Sequence, residues 1–485
     1  KLVDVVAKLA EFVDDPRQKA KYLHTAALVT ARQIGDPKLA ASYFEQVLEL
    51  QPDSPAALKE LVEIQRQARN YNAMEDLLKR RLAAAEDNAT KIAVYDQLGE
   101  LYQTHLIAPD LAAEAYESAG EFDPSNRERL AKLSAIYESD PETFQIKGVE
   151  LQEQLLSQNP YRHESYKALR KIYTVTRNAD ASWALCQALS VLRLAEPDEQ
   201  RFYERMRAET AAPAQAVFSE ADWQAVTHPR VDPLLTAVFA LIQPAVVGAR
   251  AQSLESQGLS QQMLVDPSQH PSPLAQTLYY AAGVLGLDLP AVFANPGDQG
   301  GLTHMLTTVP SLSMGRVGMS SQVPPQVAAF VAAQQLSYMR PGMYLRHFIQ
   351  TGTGLKAWLF AAIKLISPQF PIAPDLEGSV HEALGALRGG LAVDARDHLS
   401  SVVSKLIQSG TALDLKKWVA AVDLTADRVG MVVAHDLQTV SEVVRASDER
   451  VTSVSQDERL KELILFSVSS KYLGVRRRLG VSVDA

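Results

Sequence analysis

The chain has 485 residues, a formal net charge of −9 and a sequence pI near 5.7. Hydrophobic residues make up 47% and charged residues 22%, which is typical of soluble globular proteins. The length predicts more than one domain, because single hydrophobic cores rarely exceed about 250–300 residues. The acidic balance argues against a general nucleic-acid-binding protein, which usually carries a basic face. The one basic cluster, Arg476-Arg477-Arg478, is interpreted as a solvated helix end.

The cysteine content and the distribution of apolar residues exclude disulfide-linked and multi-cysteine metal-binding proteins and argue against a membrane-spanning one. Cys186 is the single cysteine, which excludes an intramolecular disulfide and a multi-cysteine zinc or iron–sulfur site. Its apolar neighbours predict a buried core residue. A single cysteine fits a reducing compartment, so a cytoplasmic location is expected. No run reaches the roughly 20 apolar residues that span a bilayer, so no transmembrane segment is predicted, and association with a membrane surface stays open.

The first two hundred residues contain a repeat. Prolines that follow an apolar helical stretch recur at Pro52, Pro124, Pro160 and Pro197, and the first interval holds two units. A period slightly above about 34 residues is typical of helix–turn–helix repeats. The pattern therefore predicts about five such repeats between residue 1 and about residue 208.

The segment from Ile92 to Pro124 carries the most specific pattern. Small residues at Gly99 and Ala112 fit a place where two helices cross closely, and Pro124 stops the second helix because it cannot continue the hydrogen-bond ladder. In an earlier unit, Asp36-Pro37 opens the second helix with a cap and a preset φ angle. The pattern of the 92–124 unit closely resembles the tetratricopeptide signature, through Leu98, Gly99, Tyr102, Ala112, Tyr116, Ala119 and Pro124.

The resemblance implies a groove that binds a protein partner, since in that family the first helix of each hairpin lines a concave face. The candidate residues lie on the first helices of two neighbouring units. A plain solvated face is the alternative, because exposed charges at helical spacing are common. The six candidates are Lys59, Glu63, Arg66, Asp96, Glu100 and Gln103.

The composition changes after the repeats. Residues 210–232 are rich in Ala and Pro, and the chain beyond is richer in Val, Ser, Gly and Pro. The sequence predicts helical repeats over 1–208, a linker over 209–232 and a helix-dominated α+β domain over 233–485 with a small β region near 290–318. The predicted fold class is therefore mainly α, with a helix–turn–helix repeat solenoid followed by an α+β domain.

Three segments of the second part follow a distinctive order: LGLDLP before a strand, SSQVPPQVAAFVAAQQLSYMR entering a helix and, much later, DLTADRVG. This order resembles the gluzincin metallopeptidases of the HtpX and CAAX-prenyl-protease type. In them a strand pair precedes a helix with His-Glu-x-x-His, and a later helix carries Glu-x-x-Ala-Asp. The resemblance covers about residues 273–445. It aligns the metal helix with residues 334–338 and the later motif with residues 423–427.

The residues that the resembled family uses for zinc are replaced here. Zinc is held by two imidazoles at i and i+4, where this chain has Gln334 and Tyr338. Gln335 stands in place of the glutamate that acts as general base, and Asp423 is the one carboxylate kept among three ligands. The sequence thus predicts a degenerate domain with a vestigial site and with no catalysis, metal or cofactor. The alternative is a generic amphipathic helix with a chance match at the later motif.

The leading functional interpretation is a non-catalytic protein-interaction scaffold. The repeat array would dock one partner, and the peptidase-like domain would bind a second partner or a peptide segment. One alternative is an active hydrolase with metal ligands that the alignment does not reach. Another is a membrane-linked assembly factor, by analogy with the resembled families. Nothing in the sequence groups the three histidines His304, His347 and His435.

Overall fold

The computed structural model describes residues 2–207, 213–410, 414–447 and 453–483. Over these residues the protein is mainly helical, with 25 α-helices and one four-stranded sheet. It forms two compact units, Lys1–Leu151 and Gln152–Ala485. The prediction of a mainly α protein that begins with a helical repeat array is confirmed.

The first unit is a run of helix hairpins. Helix α2 packs on α3, α4 on α5 and α6 on α7, and each hairpin packs on the helix that follows it. Short connections between these helices place them antiparallel. The helices are α1 (Leu2–Glu11), α2 (Pro16–Val29), α3 (Pro37–Leu50), α4 (Pro55–Gln67), α5 (Tyr71–Ala83), α6 (Asn88–Leu101), α7 (Pro109–Phe122) and α8 (Arg127–Ser139), while α9 (Gln145–Gln158) crosses into the second unit.

Local chemistry sets the ends and the spacing of these helices. The Asp36 side chain accepts hydrogen bonds from the backbone N–H groups of Lys38 and Leu39, at the start of α3. A Cβ atom at Gly99 would lie 2.6 Å from Tyr116 Cε1, so glycine permits the close crossing of α6 and α7. Ala112 is fully buried at the same crossing. The roles predicted for Asp36, Gly99 and Ala112 are confirmed.

The second unit contains the remaining sixteen described helices. They are α10 (His163–Val175), α11 (Ala179–Val191), α12 (Pro197–Arg207), α13 (Glu220–Val226), α14 (Pro233–Arg250), α15 (Pro273–Leu285), α16 (Arg316–Met319), α17 (Pro325–Ser337), α18 (Leu345–Phe348), α19 (Gly352–Ile366), α20 (Glu377–Gly390), α21 (Val393–Gln408), α22 (Leu415–Ala434), α23 (Leu437–Ala446), α24 (Gln456–Ser467) and α25 (Ser470–Arg478).

A small sheet occupies the predicted β region and adds one strand before it. The order is β1-β2-β4-β3, with β2 parallel to β4 and the outer pairs antiparallel. All four side chains of β4 are buried, so it is the core strand of the sheet. The strands are β1 (Leu264–Val265), β2 (Ala291–Ala294), β3 (Leu302–Met305) and β4 (Ser311–Met314).

The division between the units lies at a different place from the predicted linker at 209–232. Helix α11, which the sequence assigns to the repeats, packs against α23 and α24 of the second unit. Trp223 and Val226 of α13, inside the predicted linker, are buried. Residues 209–212 of that linker lie outside the described residues. The division into two units does not test the predicted domain boundaries, which stay a prediction.

One helix among the described residues, α14, is long and apolar enough to cross a membrane by length and composition, although the sequence analysis predicted no transmembrane segment. A core helix of a soluble protein meets the same criterion. Val238, Phe239 and Ile242 of α14 are fully buried in an apolar cluster of the second unit, which also contains Trp358 and Trp418. The helix therefore contributes to a protein core.

The basic cluster near the end of the chain is a solvated helix end only in part: Arg477 and Arg478 are exposed, whereas Arg476 is not. Arg476 has no exposed surface. Its Nη2 and Nε donate to Asp180 on α11 at 2.7 and 3.1 Å, and its guanidinium lies over the Trp183 ring. Arg478 donates to the buried carboxylate of Asp222. Two of the three arginines therefore hold α25 against other helices of the second unit, because a buried carboxylate requires a cationic partner.

Candidate functional site

A cavity of about 410 Å³ lies between helices α4, α5 and α6 of the first unit. Four of the six residues predicted for the groove line it: Lys59, Glu63, Arg66 and Glu100. The first helices of two neighbouring hairpins, α4 and α6, thus face the same space, as the tetratricopeptide resemblance implies. The rest of the lining is Glu60, Val62, Met74, Arg81, Gln97, Leu101 and His105.

The other two predicted groove residues brace neighbouring helices. Asp96 accepts hydrogen bonds from Arg129 Nε and Nη2 at 2.9 and 3.0 Å. Gln103 Oε1 accepts a long hydrogen bond of 3.4 Å from the Tyr116 hydroxyl. The structure therefore brings four of the six candidates together at the cavity and engages the remaining two in contacts between helices.

Ion pairs hold two of the cavity's three glutamates. Arg66 donates from Nε and Nη2 to the two carboxylate oxygens of Glu63 at 2.9 and 2.8 Å. Glu60 accepts from Arg32 Nη2 at 3.1 Å. Exposed pairs of this kind contribute at most about 1 kcal/mol, so a ligand could replace them at small cost.

The second candidate site lies where α17 packs along α22 in the second unit. A Cβ atom at Gly430 would lie 2.6 Å from Phe330 Cδ2, so glycine lets the two helices approach closely. The approach brings Gln334 and Tyr338, at the end of α17, to the carboxylates of α22. The two segments aligned from the sequence therefore contact each other, through Gln334 with Asp427 and Tyr338 with Asp423.

Asp423 is buried and fully engaged. Its Oδ1 accepts from the Tyr338 hydroxyl at 3.0 Å, and its Oδ2 accepts from both the backbone N–H and the hydroxyl of Ser453 at 2.9 and 2.8 Å. Arg346 Nε lies 3.3 Å from Oδ1, and Arg346 Nη2 donates to Oδ2 at 3.3 Å. Burial and the nearby Asp423 carboxylate hold the Tyr338 pKa well above its usual value, so the hydroxyl remains a donor.

Asp427, one helical turn further along α22, forms the other half of the network. Arg459 donates to both of its oxygens, from Nε at 2.7 Å and from Nη2 at 2.8 Å. The Gln334 side-chain amide donates to Oδ1 at 2.6 Å, and Gln335 donates to Gln334 Oε1 at 3.1 Å. A bidentate pair of this kind is among the strongest polar contacts in proteins.

These residues do not fit a zinc ion. The donor set consists of amides, a phenol that remains protonated and a carboxylate whose oxygens already accept hydrogen bonds. Zinc sites in proteins use imidazole, thiolate and free carboxylate groups. Among the described residues, no group of three or more His, Cys, Asp or Glu side chains could hold a metal ion.

Two histidines that nothing in the sequence groups lie stacked beside this network. The rings of His304 on β3 and His347 on α18 are 4.0 Å apart with an interplanar angle of 18°. Tyr338 packs edge-on against both rings. Both ring nitrogens of His304 and Nε2 of His347 are buried without a hydrogen-bond partner among the described residues. Burial lowers the pKa of His347 to about 3 and that of His304 well below 6.5, so both rings are neutral at pH 7.

The sequence analysis missed the arginines of the network. Arg459 lies 32 residues beyond Asp427, and no periodicity links the two positions. One signal was present: Asp423 and Asp427 are spaced one helical turn apart in a helix whose other residues are mostly apolar. Two carboxylates on the buried face of a helix require cationic partners, so basic residues on nearby helices were to be expected.

Comparisons with known proteins give structural neighbours only. No family model and no curated protein matches the chain. One neighbour is the crystal structure of YrrB, a TPR protein with an unusual peptide-binding site. The two chains are 16% identical, and their alignment covers 33% of this chain and 78% of the YrrB chain, with a TM-score of 0.25. Another is the structure of Naa15/Naa10 bound to HypK-THB, which is 14% identical with a TM-score of 0.26; it covers 88% of this chain, which spans 63% of that chain. Both TM-scores are low, so the repeat architecture rests on the helix packing described above.

Proposed function

We propose that this chain is a non-catalytic protein-interaction scaffold whose first unit binds an extended segment of a partner protein. The observation that carries the proposal is the cavity of about 410 Å³ between α4, α5 and α6. Clefts of roughly 300–1,000 Å³ are typical of ligand sites. Apolar walls combined with charged groups suit a peptide, which offers both side chains and backbone polar groups.

Residues 233–485, which lie within the second unit, are proposed to form a degenerate metallopeptidase-like domain. The alignment is supported by two contacts between the aligned segments: Tyr338 bonds to Asp423, and Gln334 bonds to Asp427 of the same later motif. The polar network at these positions supports a structural role in place of zinc chemistry. In this proposal the domain binds a second partner or a peptide segment, and the protein acts in the cytoplasm.

The groove is tested by selecting peptides from a random phage-displayed library on the intact chain and measuring their affinity by fluorescence polarisation. The double variant Lys59→Glu/Arg66→Glu should weaken binding about tenfold, because it reverses two charges at the cavity. The matched control, Arg17→Glu/Lys38→Glu, reverses the same charges at exposed positions that do not line the cavity. Equal binding by both double variants would contradict the groove assignment.

The degenerate site is tested by measuring the zinc content of the purified full chain by mass spectrometry. We expect well under one zinc per chain, and no change in Asp423→Ala. One zinc per chain that is lost in Asp423→Ala would contradict the proposal. Chelator-sensitive hydrolysis of a casein substrate would contradict it in the same way.

A further inference from the structure

A second cavity, of about 340 Å³, lies in the second unit where helices α19 and α22 begin. Its volume is at the lower end of the roughly 300–1,000 Å³ that is typical of ligand sites, so its size fits a small molecule. Arg346 and Lys416 line the cavity, and no acidic side chain is among the described residues of its lining. The cavity is therefore suited to an anion.

Arg346 uses few of its hydrogen-bond donors. A guanidinium carries five N–H groups, yet the one hydrogen bond that Arg346 donates to a described residue is a long one of 3.3 Å, from Nη2 to Asp423 Oδ2. Its buried Nε lies 3.3 Å from Asp423 Oδ1 without forming a hydrogen bond. Arg459, in contrast, donates to both oxygens of Asp427 at 2.7 and 2.8 Å. Arg346 thus keeps unused donors at the wall of the cavity.

Lys416 is the second cation of the cavity. It is exposed and forms no ion pair within the described ranges, whereas the next residue, Lys417, is paired with Asp414 at 3.1 Å. Lys416 stands in the first turn of α22, where the helix dipole makes a positive charge unfavourable. An anion bound beside Lys416 would relieve this repulsion.

The start of α19 adds backbone donors and a partial positive charge. The Thr351 hydroxyl caps this helix of 15 residues by accepting from the Gly354 N–H at 3.0 Å. The N–H groups of Gly352, which lines the cavity, and of Thr353 donate to no group in the described part of the chain. A helix start is equivalent to about half a positive charge. At α22 the carboxylate of Asp414 offsets that charge, but the cap of α19 is neutral.

The balance of charges favours a ligand with one negative charge. Asp423 offsets the charge of Arg346, so Lys416 and the start of α19 remain, with about one and a half positive charges together. Leu415 and Val419 also line the cavity and are partly exposed. They offer an apolar surface to a hydrocarbon group, which inorganic phosphate lacks.

We propose that this cavity binds a small organic acid. Its carboxylate is bound by Arg346, Lys416 and the backbone N–H of Gly352, and its short aliphatic group contacts Leu415 and Val419. The inference goes beyond the proposed function, because it rests on residues of the second unit alone and does not depend on whether the repeat groove binds a peptide.

The probe is 3-methylbutanoate, titrated into the intact chain and followed by saturation-transfer NMR. It should bind about tenfold more tightly than 3-methylbutanamide, which has the same shape without the charge, because charge-assisted hydrogen bonds are the stronger ones. Equal binding of the acid and the amide would overturn the inference. So would a blocked Gly-Glu-Gly peptide that binds about tenfold more tightly than the acid, since the site would then take an acidic side chain of a protein.

Lys416→Gln should weaken the binding of 3-methylbutanoate by about fivefold, the upper range for an exposed charge pair. The matched control is Lys417→Gln, which removes the same charge from the next residue, outside the cavity lining, and should change the affinity less than about twofold. Equal effects of the two substitutions would overturn the inference. Arg346 is left unchanged because it also contacts the buried Asp423.

Gly352→Glu is the second variant. A Cβ atom at Gly352 meets nothing within 4 Å, and an acidic residue is favourable in the first turn of a helix, so the variant should fold, as circular dichroism would show. Its own carboxylate should occupy the anion site and abolish binding of the acid. The control is Gly378→Glu in the first turn of α20, where an added Cβ also meets nothing. Binding that survives in Gly352→Glu would overturn the inference.

Discussion

Gly99 sets the distance between the two helices of the α6/α7 hairpin. The Tyr116 ring occupies the space that a side chain at this position would need, since a Cβ atom at Gly99 would lie 2.6 Å from Tyr116 Cε1. Tyr116 is fully buried and cannot move aside without disturbing the packing of the hairpin. The size of this one residue therefore controls the repeat unit.

We expect Gly99→Ala to lower the free energy of unfolding by about 1–3 kcal/mol, because overpacking forces side chains and backbone to shift. The control is Gly120→Ala in the same hairpin, where an added Cβ meets nothing within 4 Å. Gly120→Ala should raise stability by up to about 1 kcal/mol, since alanine is the better helix former. Urea unfolding followed by circular dichroism measures both, and equal effects of the two substitutions would contradict the packing argument.

The Asp427–Arg459 pair is nearly inaccessible to solvent on both sides. Arg459→Leu leaves the carboxylate of Asp427 buried without its bidentate partner and should destabilise the protein by about 3–5 kcal/mol. The control is Arg230→Leu, which breaks an exposed pair of 3.5 Å with Glu458 and should cost less than about 1 kcal/mol. Chemical unfolding of both variants tests this, and a loss of similar size in each would count against the network.

At the residue scale, local patterns in the sequence carried part of the information. The spacing of Gln334 and Tyr338, and of Asp423 and Asp427, places each pair on one helix face, and the structure joins the two faces. Arg459 was not predicted, because nothing local links a helix to a cation 32 residues away.

At the scale of elements, α14 contains a proline in its interior, Pro244. A proline there removes one backbone donor and crowds the carbonyl one turn earlier. Pro244 is exposed, so replacing it leaves no cavity in the core.

Pro244→Ala should raise the free energy of unfolding by about 1–2 kcal/mol: restored helix hydrogen bonding contributes up to about 3 kcal/mol, offset by the freedom regained in the unfolded chain. Pro233→Ala, at the first helical position where proline fits, is the control and should lower stability by less than about 1 kcal/mol. Thermal unfolding compares them. A loss of stability in Pro244→Ala would mean that the packing of α14 depends on the proline.

The helices themselves were largely predictable, whereas their grouping was not. Caps such as Asp36 and the close crossing at Gly99 act within a few tens of residues, so the sequence pattern contains them. The packing of α11 on α23 and α24 depends on contacts more than two hundred residues apart in the chain, such as the hydrogen bond from Leu437 N–H to Gln187 Oε1. Local patterns do not encode contacts of that range.

At the scale of the whole molecule, the second unit carries three half-buried histidines, His304, His347 and His435, whose rings are neutral at pH 7. Burial lowers the pKa of His347 and of His435 to about 3, and that of His304 well below 6.5, with Arg346 and Arg476 adding to the effect at His347 and His435. The unfolded chain binds protons at these rings below about pH 6.5, whereas the folded chain does not. The stability that they contribute is therefore complete above pH 6.5 and is lost as the pH falls toward 3.

At pH 5 each of these histidines should cost about 2 kcal/mol of stability relative to pH 7.5. His435→Asn should remove about that much of the pH dependence, because asparagine tolerates the left-handed backbone at this helix end. Burial raises the pKa of Asp427, and this makes the folded state more stable as the pH falls. The effect is the same in the wild type and in His435→Asn, so it cancels when the two proteins are compared. All four tryptophans lie in the second unit, so fluorescence-detected urea unfolding reports on it. The exposed His381→Asn is the control, and an equal change there would contradict the assignment.

The Arg476–Asp180 contact joins residues 296 positions apart. At about 5–20 residues per second of translation, Asp180 is synthesised roughly 15–60 s before Arg476. Each hairpin of the first unit, in contrast, has its packing partners as soon as the next helix emerges. The nascent second unit therefore exposes the apolar faces around Trp183 for most of its synthesis, the period in which a chaperone is most needed.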